Sequence, residues 1–121
     1  MDDDKIILNR SDLLINLLKH QRKTVNSYGK YDKINFEDMK RIDKNINKDI
    51  FNSNECIPYN SPANKRDKSN YIAIPYKKIK VSLLRLLYVN FVDDMKEKDQ
   101  LEYYCKNNGK CINLKHYGVK I

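Results

Sequence analysis

The chain has 121 residues, a third of them charged, and carries a formal net charge of +8. This length permits one domain, or one small domain with an extension, and excludes a large hydrophobic core. No apolar run reaches the ~20 residues of a membrane span, and the acidic start lacks the features of a secretory signal, so we expect an intracellular protein of the cytoplasm or nucleus.

Two helices are predicted in the first half of the chain. Residues 11–22 form an amphipathic pattern with Ser11 as the candidate N-cap. Its apolar positions recur at helical spacing and are Leu13, Leu14, Leu17 and Leu18. A polar connector follows over 24–35, and a second helix is predicted over 36–44. The leucine face of the first helix is a candidate docking surface for a protein partner.

A β-hairpin is predicted in the middle of the second half. Its arms are residues 71–76 and 78–82. Lys78 and Lys80 alternate with two apolar residues, of which Ile79 is the first. Because successive strand residues point to opposite faces, this alternation predicts a basic face and a core face.

A buried helix is predicted directly after the hairpin. The dense apolar run over 82–92 is too long for a surface strand, and Ser82 is its candidate N-cap. A polar connector over 93–100 leads to the C-terminal segment.

Three cysteines and a histidine form a candidate metal site. Cys105, Cys111 and His116 stand in a C-x5-C-x4-H spacing, and Cys56 is the remaining cysteine. Three cysteines cannot all pair in disulfides, and a reducing compartment favours metal ligation. Thiolates and imidazole are the ligands of tetrahedral structural zinc, which takes four of them. We therefore expect one structural Zn²⁺ ion on these four residues; a buried free thiol at Cys56 is the alternative.

The segment from Cys111 to His116, CINLKH, resembles the C-x-N-P-x-H end of HNH, or His-Me finger, homing endonucleases of the His-Cys-box type. Upstream blocks resemble other parts of that family in the same order over residues 36–119. These blocks are Cys56 to Tyr59, Ser69 to Ile72, Tyr76 to Tyr88 and Leu101 to Cys105. The family's zinc ligands, an upstream Cys followed by Cys, Cys and His, fall on the four residues named above.

The resemblance implies a small α+β fold, a zinc-stapled HNH-like module of β-hairpin, helix and zinc loop with an N-terminal helical extension. We place the extension at residues 1–35 and the zinc-binding domain at residues 36–121.

The catalytic residues of the family are replaced. Tyr103 stands at the position of the general-base histidine, and a phenol with a pKa of about 10 is a poor base at neutral pH. Leu84 stands at the position of the helix histidine, and only residues 117–121 follow His116, where the family has a metal-binding helix. Glu102, Asp93 and Asp94 are candidate magnesium ligands, but the pattern favours solvated carboxylates of a connector. The chain is therefore expected to lack catalysis.

The most basic stretch coincides with the part of the family that lies against DNA. Its residues are Lys65, Arg66, Lys68, Lys77, Lys78 and Lys80. Lysine and arginine on such a hairpin bind phosphates with little sequence information. An ordinary exposed strand face is the alternative.

The function expected from these features is that of a non-catalytic, zinc-containing DNA-binding protein derived from an HNH-type endonuclease. One alternative is a structural or interaction subunit of a viral or nucleoprotein assembly. Another is a divergent endonuclease that remains active. Heavy use of Asn, Lys and Ile indicates an AT-rich genome, such as that of a large DNA virus.

Overall fold

A computed structural model describes residues 12–26, 29–60, 72–106 and 110–120. Within these residues the chain forms a small α+β fold with three helices and two two-stranded antiparallel sheets, which confirms the predicted α+β class. The elements are α1 (12–20), α2 (Phe36–Asp43), β1 (Ala73–Tyr76), β2 (Ile79–Ser82), α3 (Leu83–Phe91), β3 (Leu101–Tyr103) and β4 (Tyr117–Val119). No helix among the described residues is long and apolar enough to cross a membrane.

Helices α1 and α2 follow the predicted apolar spacing and end one or two residues before the predicted ends, and Ser11, the candidate N-cap of α1, lies outside the described residues. In α1, Leu17 is buried in the core, whereas Leu18, predicted on the same face, is exposed. In α2, Met39 and Ile42 are buried, and the side chain of Asn35 caps the helix by accepting a hydrogen bond from a backbone N–H of its first turn.

The segment after α1 is tied to the end of α3 through Asn90. The buried side chain of Asn90 accepts hydrogen bonds from the Gln21 side chain and from the backbone N–H of Ile34. It also donates to the backbone carbonyl of Asp32. Leu17 and Ile34 belong to the same hydrophobic core as α3. The described part of the predicted N-terminal extension therefore packs on the domain that follows it.

The hairpin has a two-residue loop made of lysines. Tyr76 pairs with Ile79, and the intervening Lys77 and Lys78 have φ angles of 51° and 68°. Positive φ at both loop positions is the geometry of a type I′ turn, which matches the twist of the flanking strands. The predicted core face is correct at Val81, which is buried, and wrong for Ile79, whose exposed fraction is 47%. Ile79 lies beside the turn, where the core ends.

Helix α3 is the centre of the core. Ser82 is its N-cap, as predicted, and accepts a hydrogen bond from the backbone N–H of Arg85. Its fully buried side chains are Leu83, Leu84, Leu86, Leu87 and Val89. The Leu83 N–H donates to the carbonyl of Ile72, which fixes the start of the helix against β1.

A second sheet, which the sequence did not reveal, organises the C-terminal segment. Strand β3 pairs with β4 in the register Glu102 to Gly118. The Tyr117 hydroxyl donates to the backbone carbonyl of Leu84 at 3.0 Å, so the sheet is anchored to α3. This pairing brings the residues just after β3 and just before β4 to the same end of the sheet.

Candidate metal centre

Cys56 and Cys111 are positioned by a short antiparallel contact between their segments. Pro58 forms an isolated β-bridge with Cys111, and the Ile112 N–H donates to the Ile57 carbonyl at 2.8 Å. The Ile57 N–H donates to the Cys111 Sγ atom at 3.3 Å. Backbone N–H groups directed at sulfur stabilise thiolate charge, as outer-shell groups do around bound metals.

Asn113 fixes the two segments to each other. Its side chain is fully buried, and its amide donates to the backbone carbonyls of Ser53 and Glu55 at 2.8 and 2.7 Å. Its side-chain oxygen accepts from the backbone N–H of Lys115. Asn113 belongs to the CINLKH motif, but no role was predicted for it from the sequence. Its position between the apolar residues Ile112 and Leu114 is the one sequence feature that indicates a buried side-chain amide.

Cys105 and His116 come from the ends of the second sheet. Cys105 follows β3 and His116 precedes β4. The Tyr104 N–H donates to the His116 carbonyl at 2.7 Å, and the His116 N–H donates to the Asn113 carbonyl at 2.9 Å. The loop that carries the histidine is therefore held on both sides by backbone hydrogen bonds.

The four predicted ligands converge on one point. The Sγ atoms of Cys56, Cys105 and Cys111 and a ring nitrogen of His116 all lie within 4.8 Å of one another. The His116 Nδ1 atom is 3.5 Å from the Cys56 Sγ atom and 3.4 Å from the Cys111 Sγ atom. Tetrahedral zinc, with Zn–S near 2.3 Å and Zn–N near 2.0–2.1 Å, places sulfur and nitrogen ligands about 3.6 Å apart. The donor set and its spacing thus fit a closed tetrahedral metal site.

The three cysteines are free thiols that differ in their exposure to water. All three cysteines are free, Cys111 is buried, and Cys56 and Cys105 are half-buried. Burial raises the pKa of the Cys111 thiol to about 11, and the neighbouring Cys105 acts in the same direction, against backbone hydrogen bonds that lower it. Because the thiolate is the form that ligates metal, a metal ion here would displace the proton of Cys111.

The acidic residues considered for magnesium do not gather. Among the described residues, the only group of at least three His, Cys, Asp or Glu side chains with suitably close ligand atoms is the Cys3His cluster. Asp94 instead accepts hydrogen bonds from Arg22 and Asn26, while Asp93 and Glu102 are exposed.

The predicted nucleic-acid residues are described only in part. Lys77, Lys78 and Lys80 are exposed on the hairpin, and Lys77 forms an ion pair with Asp32. The remaining three, Lys65, Arg66 and Lys68, lie outside the described residues.

Leu84 and Tyr103, the two positions that the HNH resemblance pairs with catalytic histidines, are a buried and a half-buried residue. Leu84 has no exposed surface and packs in the cluster around α3. Tyr103 is half-buried on β3, and burial raises the pKa of its phenol, partly offset by the nearby Arg85.

Comparison with known proteins identifies a viral relative. The chain is similar to an uncharacterized protein, R328, of Acanthamoeba polyphaga mimivirus, with 35% identity over 112 residues. The match covers 90% of this chain and 32% of the relative, so the chain spans about a third of the length of that protein. This relative agrees with the viral source that the composition indicated. No protein-family model and no solved structure matches the chain, and the HNH resemblance therefore stays a prediction.

Proposed function

We propose that the chain is a zinc-stapled, HNH-like module that binds DNA without cutting it. The observation that carries the proposal is the convergence of Cys56, Cys105, Cys111 and His116 on one point. These residues come in the ligand order of the zinc-loop nucleases that the sequence resembles. Three thiolates and an imidazole favour zinc over the hard cations magnesium and calcium, which prefer oxygen ligands.

The order of the elements along the chain also supports the proposal of an HNH-like module. The hairpin β1–β2 leads directly into α3, and the C-terminal loop with three of the four ligands follows. A hairpin, a helix and a zinc loop in this order are what the resemblance implies.

The non-catalytic part of the proposal rests on positions 84 and 103. An HNH nuclease uses an imidazole as the general base and holds a divalent cation beside the 3′ oxygen that leaves the phosphate. Leu84 offers no ligand and is fully buried, and Tyr103 replaces the imidazole.

DNA binding is proposed from the charge and the exposed hairpin. The excess of +8 favours a polyanionic partner. Lys78 in the two-residue turn and Lys80 on the following strand are exposed, so a phosphate backbone can reach them. Such contacts provide affinity with little dependence on base sequence.

The test is the salt dependence of binding to a mixed-sequence DNA duplex, measured by electrophoretic shift. If about six basic residues neutralise phosphates, the logarithm of the binding constant falls with that of the salt concentration at a slope near −5. Replacing Lys77, Lys78 and Lys80 by Ala should remove at least about two units of that slope. The matched control replaces three exposed lysines outside the hairpin, Lys19, Lys44 and Lys98, and should change the slope less. Absence of salt-dependent binding contradicts the proposal.

A second candidate function is that of an interaction subunit. It is favoured by Ile15 and Leu18, which are 56% and 36% exposed on α1. In that case the chain would bind a protein partner through residues 11–22, and Ile15→Ser with Leu18→Ser would abolish the complex while leaving the zinc content and the fold unchanged.

A further inference from the structure

The loop that precedes α2 lies against the hairpin. The Lys30 ammonium donates to the backbone carbonyl of Lys80 at 3.1 Å. The Tyr31 hydroxyl accepts a hydrogen bond from the Ser82 N–H at 3.0 Å. These contacts place an exposed lysine, separated from the hairpin by 50 positions in the chain, beside Lys80 on strand β2. The HNH resemblance begins at residue 36 and therefore does not include Lys30.

The same loop supplies a carboxylate that occupies one hairpin lysine. Asp32 forms an ion pair with Lys77 and accepts a hydrogen bond from the Tyr76 hydroxyl at 2.6 Å. Partial burial would raise the pKa of Asp32, but the bonds from Lys77 and Tyr76 outweigh it and the pKa is lowered. Asp32 is therefore ionised at neutral pH, and its charge cancels that of Lys77.

The turn conformation also separates the two loop lysines. Both have positive φ, which disfavours side chains other than those of Gly, Asn and Asp. Lys77 is held by Asp32, whereas Lys78 is exposed at the tip.

We propose that Lys30, Lys78 and Lys80 form one phosphate-contacting face, and that Asp32 holds Lys77 out of that face. The carboxylate of Asp32 takes the place that a phosphate oxygen would take on the Lys77 ammonium. Removing the Asp32 charge makes the Lys77 ammonium available to a phosphate. This inference rests on the proposed DNA binding and names the residues that carry it.

The test compares single variants of the full chain on one mixed-sequence DNA duplex, with affinity measured by fluorescence anisotropy between about 50 and 200 mM salt. Lys30→Ala should make the salt slope shallower by about 0.9, the value of one phosphate contact. Asp32→Asn should make it steeper by about 0.9 and tighten binding severalfold. Asn keeps an acceptor for the Tyr76 hydroxyl, so the hairpin contact survives.

Two further variants make the test sharper. Lys77→Ala should leave the slope nearly unchanged, because Asp32 already occupies that lysine, and it decides the question if Asp32→Asn does not fold. Lys19→Ala is the charge-matched control. Lys19 precedes His20, whose ring stacks on the ring of Phe51. Phe51 in turn contacts Phe91, the last residue of α3, at the end of the helix opposite the hairpin.

The outcomes separate this inference from the function on which it rests. If the parent chain binds with a steep slope but Lys30→Ala behaves like Lys19→Ala, the face is wrong and the DNA-binding proposal stands. A loss of about 0.9 in Lys77→Ala, or an unchanged slope in Asp32→Asn, contradicts the role of Asp32. If the parent chain shows no salt-dependent binding, both proposals are overturned.

Discussion

The Nδ1 atom of His116 lies 3.5 Å from the Sγ atom of Cys56, a residue 60 positions earlier in the chain. A metal ion bound between them would close a loop that contains the hairpin, α3 and β3. Closing a long loop removes much conformational freedom from the unfolded chain. The candidate metal centre therefore lies where one ion would constrain the hairpin, α3 and β3 together.

Asn113→Ala should destabilise the protein and loosen the candidate metal centre. The change removes the three side-chain hydrogen bonds of Asn113 and leaves the carbonyls of Ser53 and Glu55 without this donor. We expect a loss of about 2–3 kcal/mol in the free energy of unfolding, measured with urea. A chelator competition should show metal affinity lowered by about 10-fold or more, as for other outer-shell groups.

The control for this prediction is Asn54→Ala, which changes an exposed asparagine close to Cys56 in the chain. It should alter the unfolding free energy by no more than about 0.5 kcal/mol. Equal stability of the two variants would contradict the role given to Asn113.

Lys78→Gly should stabilise the protein. Lys78 has a φ of 68°, and the left-handed region costs a non-glycine residue about 1–2 kcal/mol. The flexibility of glycine in the unfolded chain offsets part of the gain, so we expect about 0.5–1 kcal/mol in urea unfolding. The matched change Lys80→Gly, in extended strand β2, should instead cost about 0.5–1 kcal/mol. A loss of stability in both variants would show that the turn is not strained.

The sequence predicted the elements that depend on local patterns. Helix α3 was recognised because apolar residues fill it and Ser82 can cap it. The sheet β3–β4 was not predicted because each strand has only three residues and one of them contains a glycine. Such short strands show no clear alternation of apolar and polar residues. Ile79 was misjudged because alternation gives the face of a strand residue, whereas its burial depends on where the core ends.

The four candidate ligands could be named from their chemistry, because cysteine and histidine are few in this chain. The contacts of Lys30 and Asp32 with the hairpin could not be read, because they join segments far apart in sequence through ordinary charged residues. The number of charged residues in a sequence does not show which of them form ion pairs or hydrogen bonds with one another.

Asp94→Asn should reduce stability at neutral pH and have less effect in acid. Hydrogen bonds from the side chain of Arg22 and from Asn26 lower the pKa of Asp94 in the folded chain. A carboxyl group whose folded pKa lies below its unfolded value of about 3.9 stabilises the fold above that value, and the contribution is lost as the pH falls through the folded pKa. The difference in unfolding free energy between parent and variant, measured in urea, should therefore be largest at pH 6 and should narrow toward the lowest pH at which the parent chain is still folded.

The control is Glu97→Gln, which removes an exposed negative charge from the same connector. Acid also protonates the thiols and releases a bound metal, so the comparison covers only pH values at which the parent chain is still folded. A gap for Asp94→Asn that stays constant between the two pH values would contradict the assigned contacts.

The chain should not cut DNA. General-base catalysis contributes typically about 10²–10⁴-fold, and position 103 offers a phenol in place of an imidazole. Incubation of supercoiled plasmid with magnesium, manganese or zinc should give no nicking above a protein-free control. Tyr103→His alone should not restore activity, because Leu84 is buried and supplies no metal ligand. Robust nicking by the parent chain that disappears in Tyr103→Phe or Glu102→Ala would overturn this prediction.

The central claim, that Cys56, Cys105, Cys111 and His116 together hold one zinc ion, is tested most directly by the zinc content of the protein purified under reducing conditions. Structural zinc contributes about 10–16 kcal/mol of apparent binding free energy, which matches or exceeds the ~5–15 kcal/mol that stabilises a typical domain. Atomic emission should therefore give one zinc per parent chain and almost none in Cys56→Ser, whose circular dichroism should show loss of fold. A parent chain without zinc, or a Cys56→Ser variant that keeps a full equivalent and its fold, would contradict the account.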